Sequence, residues 1–123
     1  LDIMRLELNG GTVQFLKSGA AQSFLFRDGG LKAIGGQAFP AGILAECTPD
    51  VSELKLFDGD VLLMTSDGVE DATAREILRC NGMNAQEIVT ALGAKALAQR
   101  TGGRRDDITI IAAKIFLRDE NEK

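Results

Sequence analysis

VLLMTSDGVED, residues 61–71, is the stretch from which the fold of this chain can be read. Val61, Leu62, Leu63 and Met64 are apolar without alternation, the pattern of a strand buried on both faces. The strand stops at Thr65 and Ser66. Asp67 followed by Gly68 then puts a carboxylate where a buried strand runs out into a tight turn. Rigid strand ends hold ligand groups well. Asp-Gly is also an ordinary turn pair, so Asp67 acquires chemical meaning only if a second acidic residue meets it.

That second residue lies near the other end of the chain. Arg104, Arg105, Asp106 and Asp107 precede ITIIAAKIF, residues 108–116, a run apolar on both alternating sets and so expected to be a central strand rather than an edge. Asp67 follows one such strand and Asp106 or Asp107 opens the other. If the two are antiparallel neighbours, the carboxylates converge. Aspartate oxygens without His or Cys make a hard-ligand site, suited to Mg²⁺ or Mn²⁺ rather than zinc.

Composition prunes the alternatives. The chain has 123 residues, 45% of them hydrophobic, which fits one globular domain or part of one. A net charge of -4 and the absence of Trp and Tyr argue against nucleic-acid binding by basic patches and stacking rings. Cys47 and Cys80 lack Cys-x-x-Cys spacing and read as reduced thiols in a cytoplasmic setting. Histidine is absent, which removes Ser-His-Asp and Cys-His machinery and His-based zinc sites. Six positions after the cysteines stand Glu53 and Gln86, not the Arg that a thiolate phosphatase loop needs. Metal and carboxylate chemistry, or binding, remains.

No apolar run approaches the roughly 20 residues of a membrane span and no signal-peptide pattern opens the chain, so no membrane contact is expected of this piece. The sequence starts at Leu1 inside an alternating strand pattern. It reads as a portion of something longer, with the cytoplasmic domain of a membrane-anchored protein as one alternative.

In chain order, Met4, Leu6 and Leu8 alternate with Arg5 and Glu7, and Asn9-Gly10-Gly11 supplies a hairpin turn to a return strand over 12–17. A second hairpin is expected over 23–27 and 31–34 around Asp28-Gly29-Gly30, with Phe24 and Phe26 on one face. The four strands are expected to form one antiparallel meander. Between the hairpins, Ser18-Gly19-Ala20-Ala21 is small enough to admit another backbone or a phosphate. Residues 35–44 read as a loop that dips into the core through Phe39, Ile43 and Leu44. A strand over 53–56 points Leu54 and Leu56 inward, and Asp58-Gly59-Asp60 reads as a plain turn. Thr73-x-x-Glu76 and Asn84-x-x-Glu87 are capping boxes. The first opens a short helix carrying Ile77 and Leu78 that ends at Asn81-Gly82. The second opens a helix to about residue 100 with Ile88, Val89, Leu92, Ala96 and Leu97 along one face. Residues 118–123 form a charged end.

Taken together, SDGVED at 66–71 and RDDITIIAAKI at 105–115, separated by two capped helices, resemble the metal-dependent Ser/Thr protein phosphatases of the 2C type. KSGAAQSFLFRDGG at 17–30 and FPAGIL at 39–44 fall in the order of the bacterial branch typified by stage II sporulation protein E. Related stress-response phosphatases carry Ala-Gly-His where this chain has Ser18-Gly19-Ala20. The resemblance implies an α+β fold, an antiparallel β-sandwich flanked by helices in αββα order. Residues 1–123 would be the C-terminal part of a single phosphatase-like domain. It implies that Asp67 and Asp106 are metal-binding and catalytic, and it carries no ligand role onto Asp107.

The reaction implied is hydrolysis of phosphoserine or phosphothreonine by a water that two Mn²⁺ or Mg²⁺ ions activate. The substrate implied is a phosphorylated anti-anti-sigma-type regulator. The family's N-terminal half, which supplies a bridging Asp, has no counterpart here, so the piece alone is expected to be inactive. A non-catalytic regulatory module that keeps the fold and binds a partner is the rival reading. The edge of the first strand is expected to be open to pairing with a second copy.

Overall fold

Turn chemistry sets the local pairings. The computed structural model describes residues 1–18, 20–35, 50–66, 69, 71–78, 82–98 and 108–117. β1 (Asp2–Glu7) and β2 (Thr12–Lys17) form the first hairpin, with Gly11 at φ 65° in its loop. β3 (Ser23–Arg27) and β4 (Gly30–Ile34) form the second. Its two-residue loop has Asp28 at φ 49° and Gly29 at φ 78°, the positive pair that matches the twist of a tight hairpin.

The expected meander does not form. β1 and β2 belong to a three-stranded sheet of order β1-β2-β5, with β5 at Asp50–Lys55. β3 and β4 belong to a four-stranded sheet, β4-β3-β6-β7, with β6 at Val61–Thr65 and β7 at Ile110–Lys114. All pairings are antiparallel. The burial fits the split. Phe24 and Leu25 are both buried, one in each core, so β3 joins the sheet that the described helices cover rather than the one whose outer face, at Arg5, Glu7 and Gln14, is exposed.

β6 is the buried strand that the sequence implied. Val61 and Leu63 face one core, and Leu62 with Met64 face the other. The core between the sheets gathers Val13, Phe15, Leu25, Ile34, Leu56 and Leu62. The second core lies under the helices, α1 (Asp71–Leu78) and α2 (Ala85–Ala98), which cover the four-stranded sheet with Leu78, Ile88, Leu92 and Ala96. This is one helical layer of the implied sandwich.

β7 is an edge strand among the described residues, against expectation. Its helix-facing side is packed by Ile108, Ile110 and Ala112, but Ile111 on the other side is half exposed. Leu8, at the hairpin loop, is 91% exposed and Leu97 on α2 is 58% exposed, so neither joins the core as the periodicity suggested. Leu97 lies one residue beyond the Ile88–Leu92–Ala96 stripe and falls off its face.

The Asn84 capping box forms as read. The Glu87 N–H donates to Asn84 Oδ1 at 2.8 Å, and the Asn84 N–H donates to Glu87 Oε1 at 3.1 Å. Thr73 does not cap α1, because the helix already begins at Asp71; Thr73 is a buried residue inside it. An ion pair between Lys95 and Glu76 joins the two helices. No helix among the described residues is long and apolar enough to cross a membrane.

Candidate active site

β6 and β7 are antiparallel neighbours with Thr65 opposite Ile110. Just past that pair the Ser66 N–H donates to the Thr109 carbonyl at 2.9 Å, and the Thr109 N–H donates to Ser66 Oγ at 2.9 Å. Ser66 therefore locks the exit of one strand to the entry of the other through both backbone and side chain. Directly afterwards the Val69 N–H returns to the Ser66 carbonyl at 3.2 Å and Val69 is buried in the helical core.

Other elements end at the same rim. β3 starts there at Ser23, since Phe24 is opposite Leu63, and β4 ends there because Ile34 is opposite Ser23. Ser23 is fully buried and its hydroxyl has no partner among the described residues. β2 ends there at Lys17, a residue only 4% exposed. The Lys17 ammonium donates to Asp2 Oδ1 and to the Ala21 carbonyl, each at 2.8 Å. Those bonds tie the start of the chain to the bend between the hairpins, so what approaches this small-residue bend is a lysine.

Gly35, at φ 74°, packs on the Lys17 stem, where a Cβ would collide with Lys17 Cδ. A Gly35→Ala chain is expected to lose about 2 kcal/mol in urea unfolding, from the left-handed backbone together with displacement of a pinned side chain.

The opposite end of the sandwich carries another ion pair that the sequence reading missed. Asp60, read as a turn residue, is 1% exposed. Arg27 grips it with two bonds, Nε to Oδ1 at 2.8 Å and Nη2 to Oδ2 at 2.7 Å. The Phe57 N–H donates to Oδ2 at 2.8 Å, Arg27 Nη2 donates to the Lys55 carbonyl at 2.9 Å, and the guanidinium stacks on Phe57. The hydrogen bond to Asp60 holds the Arg27 guanidinium above its ordinary pKa. The available signal was position: Asp60 opens an apolar strand, and a carboxylate entering a core needs a cation.

A cleft of about 370 Å³ lined by Phe26, Val61, Leu78, Met83, Ile88 and Lys114 lies toward this far end, with the length of β6 between it and Ser66. Asp67, Asp106 and Asp107 lie outside the described residues, as do Arg104, Arg105, Cys47, Cys80 and the loop bearing Phe39, Ile43 and Leu44. Among the described residues no group of three or more His, Cys, Asp or Glu could hold a metal ion.

The family model for stage II sporulation protein E (SpoIIE) matches residues 1–116. The chain belongs to the stage II sporulation protein E family. Among curated relatives, stage II sporulation protein E of Priestia megaterium is 29% identical over 125 residues, covering 94% of this chain and 21% of the relative. Among solved structures, the phosphatase domain of the cell fate determinant SpoIIE from Bacillus subtilis, presoaked with Mn, has a TM-score of 0.78 at 27% identity. That match covers 97% of this chain and 57% of the solved one.

The catalytic domain of the serine/threonine protein phosphatase PstP in complex with 2 manganese ions superposes with a TM-score of 0.70 at 23% identity, over 94% of this chain and 57% of that one. At that identity the likeness is one of fold. The chain thus has the α+β fold of a 2C-type phosphatase domain, and it spans a little over half of the solved SpoIIE phosphatase domain.

Proposed function

We propose that residues 1–123 are the C-terminal part of a single phosphatase-like domain, and that the complete domain hydrolyses phosphoserine or phosphothreonine in a protein substrate. One observation carries this reading. The residue before Asp67, Ser66, is hydrogen-bonded across the sheet to Thr109, and Asp106 lies three residues before Thr109. On this reading both acidic positions, remote in sequence, serve the one rim.

Asp67 and Asp106 are the residues that would hold Mn²⁺ or Mg²⁺, because carboxylate oxygens suit hard divalent cations. When bound, two such ions supply an acidified water and charge stabilisation for in-line attack on phosphorus. The chain's own contribution is positional. The Ser66–Thr109 bonds hold the exit of β6 to the approach of β7, and the buried β6 beneath them cannot shift without disturbing two cores. Rigid support of this kind is what a catalytic constellation needs.

By family resemblance the substrate is a phosphorylated anti-anti-sigma-type regulator in the cytoplasm; a second copy of the chain, as a further partner, is proposed only from the edge of the first strand. Two carboxylates are few for a dinuclear centre, and the chain spans 57% of the solved SpoIIE domain. The isolated chain is therefore inactive on this reading and binds metal weakly. A phosphoserine-release assay with Mn²⁺ tests it, comparing the chain with the complete domain. The complete domain should turn over and the chain should not. Equal activity in both, or none in the complete domain, would overturn the reading.

A further inference from the structure

A cation fastens each end of the sandwich, Arg27 at the far end and Lys17 at the rim that Ser66 closes. Lys17 ends β2 in the three-stranded sheet and is buried. Its ammonium donates at 2.8 Å to the carbonyl of Ala21, in the link that leads to β3 in the other sheet, and at 2.8 Å to Asp2 Oδ1. Gln22 Nε2 donates to the Gly35 carbonyl at 3.4 Å, and Gly35 packs on the Lys17 stem. The link between the sheets is therefore gripped at two neighbouring residues, Ala21 from β2 and Gln22 from the residue that follows β4.

Sheet register places that link beside the candidate site. Phe24 is opposite Leu63 in the antiparallel pair of β3 and β6, so the same register continued toward the rim brings Gln22 level with Thr65 and Ala21 level with Ser66. On its other side Ser66 is bonded to Thr109. The exit of β6, which Asp67 follows, thus lies between the approach of β7 and the link that Lys17 holds. Ala20, Ala21 and Gln22 carry no acid, base or nucleophile. What they can offer a bound phosphoprotein is shape.

We propose that Lys17 is a positioning residue for the phosphoprotein substrate: by holding the Ala21 carbonyl it fixes residues 20–22 as the wall of the rim against which the polypeptide flanking the phosphoserine packs. The inference deepens the phosphatase reading and rests on it. A hydrogen bond with an ionised donor is a strong one, and here the donor is shielded from water. Once that bond is lost, the link regains conformations that the substrate must order on binding, and affinity falls. Asp2 balances the charge and does not itself touch the wall, since its bond goes to the ammonium.

The test compares two substrates in the complete domain with Mn²⁺, phosphoserine casein and p-nitrophenyl phosphate, with circular dichroism to verify each fold. The aryl ester has no polypeptide to meet the wall, so a defect of folding or metal binding lowers kcat/KM for both, whereas loss of the wall lowers their ratio. Lys17→Met keeps the stem and removes the ammonium, and the ratio of casein to aryl ester should fall about tenfold, the scale of one hydrogen bond to a charged group. Gly35→Ala keeps the ammonium but displaces the stem, and should lower the ratio in the same direction; it decides the matter if Lys17→Met does not fold. Asp2→Asn leaves an acceptor for the ammonium and the Ala21 bond in place, so its ratio should stay within about twofold of the parent. A ratio unmoved in the folded Lys17 and Gly35 variants, or one that falls as far in Asp2→Asn as in Lys17→Met, would overturn the proposal alone. A complete domain inactive on both substrates would instead remove the phosphatase reading, and the proposal with it.

Discussion

An Asp60→Ala chain is expected to be less stable than the parent by about 3 kcal/mol in urea unfolding, the scale seen when one partner of a buried ion pair is removed. The substitution strands three donors at once. Arg27 loses both bonds to the carboxylate, and the Phe57 N–H loses its acceptor. The cluster also fastens the two sheets, since Arg27 ends β3 in one and donates to the Lys55 carbonyl of β5 in the other. Arg27 is one-third exposed, so part of its charge can rehydrate, which places the loss at the lower end of the usual range.

Asp60→Asn retains an acceptor for the Phe57 N–H and should recover part of the loss. In a double-mutant cycle with Arg27→Met, the coupling should exceed about 1 kcal/mol. An Asp60→Ala chain within about 0.5 kcal/mol of the parent would place Asp60 among ordinary surface residues.

Asp67→Asn in the complete domain should behave in the opposite way. Turnover of a phosphoserine protein is expected to fall by about a thousandfold, equivalent to roughly 4 kcal/mol of barrier, with unfolding stability changed by less than about 0.5 kcal/mol. The amide keeps the shape of the side chain but removes the anionic oxygen that a hard cation requires. The contrast between the two aspartates is diagnostic. One is held inside by a cation of the protein itself, while the other is proposed to await a cation from solution. Retention of activity within tenfold would remove Asp67 from the metal site, and a large stability loss would make it a structural residue like Asp60.

Much of the architecture was readable because it rests on local chemistry. Asp28-Gly29 dictates a tight hairpin, Asn84 and Glu87 dictate a helix start, and the unbroken apolar run at 61–64 dictates a doubly buried strand. The antiparallel pairing of β6 and β7, which the sequence reading carries only as a condition, is met in the structure. Sheet membership was not readable in this way, because β2 and β3 are adjacent in sequence yet separated by a core, and nothing local in residues 18–22 encodes the crossing.

The edge position of β7 escaped detection for a related reason. Ile111 is half exposed in this chain, and composition reports what a strand can bury rather than what it does bury. Thr73-x-x-Glu76 has the letters of a capping box, but α1 starts two residues earlier. Asp60 was misread because Asp-Gly-Asp satisfies turn chemistry by itself, while its true partner, Arg27, is 33 positions away.

The segment from β5 through β6 places one strand in each sheet, and this has a bearing on how the chain assembles. The β1-β2 and β3-β4 hairpins need only neighbouring residues and can form on the order of 1–10 μs. Neither can be joined into the sandwich until a distant stretch arrives, since Gln14 meets Glu53 and Phe24 meets Leu63. Such non-local closures slow folding. Residues 50–65 are thus expected to act as a zipper whose docking commits both sheets together, leaving little room for a half-assembled species with one sheet finished and the other unmade.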